Sequence, residues 1–131
     1  MNRKDLKEFR SKELDIKSEL QTLEEQKTRI IRITTNLDGM PKSHNNISYA
    51  MENYLDKKDK INQEILEQNN LYLNGIRDKF NKLKPIYATI LREYYINAKP
   101  LEDVAEIVGL SYSRTAHLNG NALDEFDKLE E

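Results

Sequence analysis

Cysteine is absent from the 131 residues. Without thiols the chain can build neither disulfides nor thiolate metal sites. Its two histidines, His44 and His117, stand far apart with no ligand-like cluster beside either, so no metal and no cofactor is expected. No apolar run approaches the ~20 residues that cross a bilayer, and the opening MNRKDLKEFRSKEL lacks the apolar core of a signal peptide. No membrane partner is expected, and the expected location is cytoplasmic. Gly-rich phosphate loops, HExxH and nucleophile elbows are missing too. Paired carboxylates abound, but on segments this charged they read as solvated faces with no cleft to raise a pKa. The chain therefore reads as a non-enzyme.

What is present is charge and helical periodicity. Charged residues make up 34% of the chain against 37% hydrophobic, lean for a globule and ordinary for exposed, coiled-coil-like helices. The expected fold is all-α: a long N-terminal helical hairpin over residues 1–83, for oligomerisation or partner binding, then a small domain over residues 84–131. The net charge of −2 is unevenly spread, with +3 on residues 1–98 and −5 from Lys99 onward.

Residues 3 to about 33 read as one amphipathic helix. Leu6, Phe9, Ile16, Leu20, Leu23, Ile30 and Leu37 follow the alternating three-four spacing of a coiled-coil seam. Glu13 and Lys27 fall on seam positions, where they weaken the seam and help set its register. Thr34 to Asn46, with Asp38-Gly39 and Met40-Pro41, is turn chemistry. From Ile47 to Leu83 the helical pattern returns, with Ile47, Met51, Tyr54, Ile61, Ile65 and Tyr72 on one stripe. After Asn74-Gly75 the stripe shifts to Ile76, Phe80 and Leu83. Two such helices fold back as an antiparallel hairpin. Its lean core points to self-association through Leu20, Leu23, Ile61 and Ile65, a dimer first of all.

Pro85 suits the first turn of the next helix, Ile86 to Ile96, because its missing N–H would have no partner there. Tyr87, Tyr94 and Tyr95 recur at helical spacing and read as core. Asn97-Ala98-Lys99 connects to a short helix carrying Leu101, Val104, Ala105 and Val108. Gly109 can take the left-handed backbone that ends a helix. Ser111 can cap the helix that starts at Tyr112. Ala105 suits a close helix crossing, and Leu110 and Leu118 are expected to plug the angle. Two helices joined so tightly make a helix-turn-helix, whose second helix enters the DNA major groove. The acidic balance of this region opposes a phosphate-binding role. The start of the second helix, however, holds no acid.

The stretch LREYYINAKPLEDVAEIVGLSYSRTAHLNGNAL resembles the C-terminal promoter-reading region of bacterial sigma factors. Together with TTNLDGMPKS ahead of a long charged helix, the chain resembles the RinA/ArpU-type phage and prophage regulators with sigma-like C-termini. The resemblance implies binding to double-stranded DNA at phage promoters in a bacterial host cell, activating late genes, with host RNA polymerase as a further partner. On it, Ser111 caps the recognition helix, and Tyr112, Ser113, Arg114 and His117 meet base edges and phosphates. Lys99 is a further DNA-binding candidate. The chain departs from that pattern at Thr115, at Asn119-Gly120-Asn121 and at Lys99-Pro100. The competing expectation is a phage interaction protein that does not bind DNA and offers its acidic helical surface to a host protein such as RNA polymerase or a defence component.

Overall fold

The computed structural model describes residues 2–35 and 44–129. It is all-α: among the described residues there is no strand. Helix α1 spans Arg3–Thr35 and α2 spans His44–Leu71, so both helices enter the stretch expected to be turn. Leu37, Asp38-Gly39 and Met40-Pro41 lie outside the described residues. Beyond α2 come a π-helical turn Tyr72–Ile76, α3 Arg77–Asn81, α4 Pro85–Leu91, a second π turn Arg92–Ile96, α5 Leu101–Val108 and α6 Tyr112–Lys128. No described helix is long and apolar enough to cross a membrane.

Contacts divide the chain into two units, Met1–Leu14 with Glu67–Glu131, and Asp15–Leu66. This corrects the expected boundary between residues 83 and 84. The reason is in the core of the larger unit, where Leu6 and Phe9 of α1 join Ile76, Phe80, Leu91, Tyr95, Leu123 and Phe126. Phe80 and Phe126 meet edge-on at 5.7 Å, a favoured arrangement for two ring quadrupoles. A second cluster, Ile90, Val104 and Leu118, holds α4, α5 and α6 together.

The stripe shift after Gly75 has a backbone cause. A π turn carries one residue more than an α turn, and Arg77 N–H accordingly reaches back to Tyr72 O. The extra residue rotates the succeeding turns by about 100° and brings Ile76 and Phe80 inside, 2% and 1% exposed. Pro85 stands in the first turn of α4 as expected. Tyr95 is buried, and Tyr87 and Tyr94 pack against the core.

In the smaller unit Ile16, Leu23 and Ile61 form a buried cluster flanked by Tyr54 and Ile65. Lys57 Nζ donates to Gln26 Oε1 at 3.4 Å, while the earlier Leu23 packs with the later Ile61, so the paired stretches run antiparallel. The four residues expected at an oligomer seam therefore separate. Leu23, Ile61 and Ile65 pack within one chain because each helix offers the other its apolar row, and only Leu20 stays largely exposed.

Polar groups complete the larger unit. Buried Gln68 donates to Phe9 O at 3.1 Å and to Glu13 Oε1 at 3.3 Å, which gives the polar seam position Glu13 a partner on α2. Arg10 Nε donates to Tyr94 O at 3.0 Å, and its guanidinium lies 4.2 Å from the centre of the Tyr94 ring. Arg3 donates to Asp127 at 2.6 Å and to Asp124 at 2.5 Å.

Candidate nucleic-acid interface

The turn between α5 and α6 is built from two backbone-determined ends. Gly109 has φ 72° and ψ 32°, in the left-handed region. Gly109 N–H bonds Glu106 O at 3.2 Å and Leu110 N–H bonds Ala105 O at 3.0 Å. These two bonds are the Schellman closure, which satisfies carbonyls that the last helical turn leaves open. One residue later Ser111 Oγ accepts from Arg114 N–H at 3.1 Å, the N-cap that stabilises the start of a helix by about 1 kcal/mol.

Burial sorts the residues of α6 into two faces. Thr115, Leu118, Ala122, Leu123 and Phe126 face the core. Thr115, where the resembled family carries Val or Ile, is fully buried, and its hydroxyl donates to Ser111 O at 2.8 Å. The polar atom is thereby satisfied and the position serves packing. Tyr112, Ser113, Arg114 and His117 are all exposed. At about 100° per residue, Ser113, His117, Gly120 and Asp124 form the outward line, with Arg114 on its flank.

Two expected residues behave differently. Lys99 lies outside α6, with its ammonium 2.6 Å from Glu93 Oε2, and that pairing holds the Glu93 carboxyl below its ordinary range. Its charge is committed to the fold before any phosphate arrives. Leu110, expected to plug the helix angle, is 37% exposed, whereas Leu118 is 9% exposed and does plug it.

The acidic balance also changes once the unit is known. With residues 1–14 and 67–98 included, 13 basic residues face 14 acidic ones in the larger unit, a net of −1 against −5 for the stretch from Lys99 onward. Asp124 and Asp127 are occupied by Arg3, and Glu125 by Lys128 at 3.3 Å. Burial opposes ionisation of Asp127, but its bonds from Arg3 prevail and lower its pKa. Sequence arithmetic missed this because the neutralising arginine lies 121 residues before Asp124. The exposed acids Glu102, Asp103 and Glu106 remain on α5.

No group of three or more His, Asp or Glu among the described residues is arranged to hold a metal. An exposed helix start with a cation, a hydroxyl and an imidazole is suited to contact phosphates and base edges. Comparison of the chain with known protein families, with curated protein sequences and with solved structures found no match, so the chemistry of this face rests on its own residues.

Proposed function

We propose that the chain is a non-catalytic DNA-binding regulator of transcription that reads double-stranded DNA through the first turns of α6. The observation that carries this reading is the separation of faces on α6. Thr115 and Leu118 hold the helix down, while Ser113, Arg114 and His117 stand clear beyond a tight, capped turn. In this reading Arg114 addresses guanine, whose O6 and N7 match a guanidinium. Ser111 fixes the helix start, and Tyr112, Ser113 and His117 complete the contact. The resemblance to phage regulators supplies the setting: late promoters in a bacterial cytoplasm, with host RNA polymerase nearby.

The test is selection of bound genomic fragments, followed by titration of the full chain and of Arg114→Ala on the selected fragment at fixed salt. Loss of one bidentate contact should weaken specific binding by about 1–3 kcal/mol. Coincident curves would remove Arg114 from the reading face. A separate fragment 84–131 is unsuited to the test, since it would lack Leu6, Phe9, Ile76 and Phe80 from its core.

A second reading has its own observation. Ile107, Leu110 and Tyr112 are exposed around the same turn, beside Glu102, Asp103 and Glu106. Apolar groups ringed by acids suit a basic protein partner such as an RNA polymerase surface. Failure to bind any selected DNA, together with capture of the polymerase, would favour it.

A further inference from the structure

In the smaller unit each helix keeps a second apolar row outside its buried cluster. Leu20 and Ile31 on α1 are 41% and 55% exposed; Met51, Leu55 and Leu66 on α2 are 41%, 48% and 53% exposed. At about 100° per residue, Leu20 and Ile31 lie within about 20° of each other, and the three α2 residues within about 60°. Both rows are turned in the same sense from the buried rows, by about 60° from Ile16 and Leu23 on α1 and by about 90° from Ile61 and Ile65 on α2. The paired stretches are antiparallel, and rotations of one sense about oppositely directed axes carry both rows to one side of the pair.

The α1 row is symmetric with itself. Leu20 and Ile31 are equidistant from the midpoint between residues 25 and 26, and so are Glu24 and Lys27. The same level falls at about residue 58 on α2, because Lys57 bonds Gln26 and Ile61 packs with Leu23. We infer that this side binds a second copy of the chain about one two-fold axis crossing the helices near Gln26. That axis lays Leu20 on the partner's Ile31 and Glu24 beside the partner's Lys27, with the apolar row of α2 on the same side. A two-helix unit thereby becomes a four-helix one.

Charge complementarity selects a second copy over an unrelated partner, since the same operation that joins apolar to apolar joins acid to base. The area is adequate. About 20 residues of each helix span about 30 Å, and two helices side by side are about 20 Å wide. Roughly 600 Å² per copy, or about 1,200 Å² in all, reaches the lower bound of specific interfaces. The dimer is thus expected to be weak and concentration-dependent.

The inference does not rest on the DNA-binding reading, and no nucleic acid enters its test. Sedimentation equilibrium of the full chain over about 1–100 μM should show mass rising from 15.4 kDa toward twice that value. Glu24→Lys should weaken association at least about tenfold, and adding Lys27→Glu should restore it. Leu66→Glu should abolish it. Circular dichroism should be unchanged, because all three positions are exposed. A monomer at every concentration would overturn the proposal, as would a dimer indifferent to Leu66→Glu. So would charge reversals that add up without rescue, since only this register pairs residue 24 with residue 27.

Discussion

Two glycines in the larger unit should answer the same substitution with opposite signs. Gly109 has φ 72° and Gly120 sits inside α6; a Cβ added at either meets nothing within 4 Å. Packing is thereby removed from the comparison and only backbone energetics remain. At Gly109 an L side chain must enter the left-handed region, at a cost of about 1–2 kcal/mol. Restricting the unfolded chain returns about 0.4–1 kcal/mol. Gly109→Ala should therefore destabilise by roughly 1 kcal/mol. Gly109→Asn should cost less, since Asn tolerates that region, and Gly109→Val more. At Gly120 the backbone is already helical, so Gly120→Ala should stabilise by up to about 1 kcal/mol. Urea unfolding followed by circular dichroism reads both, with the slope against denaturant unchanged. Shifts of the same sign at the two positions would refute the left-handed closure of α5 and the placement of α6 that depends on it.

Other perturbations target individual contacts. Ser111→Ala removes the bond to Arg114 N–H and should cost about 0.5–2 kcal/mol in the same unfolding assay. Phe126 is fully buried against Phe80, so Phe126→Ala should cost about 3–5 kcal/mol. Asp127 and Glu93 titrate below their ordinary values in the folded chain. The unfolded state therefore binds more protons in acid, and their stabilisation is complete above the ordinary carboxylate range and is lost as pH falls through about 4 and below. Arg3→Ala should flatten the part of that acid limb due to Asp127; an unchanged pH profile would show that the pair contributes nothing.

What could be read from the sequence was set by neighbours in sequence. Gly109 and Ser111 declare their roles because a left-handed closure and an N-cap each involve residues only a few positions away. On the α1 seam Leu6, Phe9, Ile16, Leu23 and Ile30 are buried as their spacing predicts, but Leu20 on the same seam is 41% exposed. The α2 stripe fared less well. Met51 is exposed while the polar Glu64 and Gln68 are 8% and 4% exposed. Apolar periodicity cannot announce a buried amide whose partners, Phe9 O and Glu13, lie 59 and 55 residues away. Ala98 is a similar case: it holds φ 52° at the end of the second π turn, where glycine would be the expected residue. Of the candidate face, Ser111, Tyr112, Ser113, Arg114 and His117 were legible as one capped helix start. The commitment of Lys99 to Glu93 was not, because nothing in the local pattern ranks that pairing above solvation.

The core that joins Leu6 and Phe9 to Leu123 and Phe126 has a consequence for synthesis. In a chain made from its N-terminus, Leu6 and Phe9 precede their partners on α6 by more than a hundred residues. Ile16, Leu23 and Ile61 need far less chain before they can meet. The smaller unit can thus close while the chain is still growing. The larger one cannot be completed until α6 has left the ribosome. At a synthesis rate of about 5–20 residues per second, that interval lasts several seconds or more, long compared with the closure of a local helical pair.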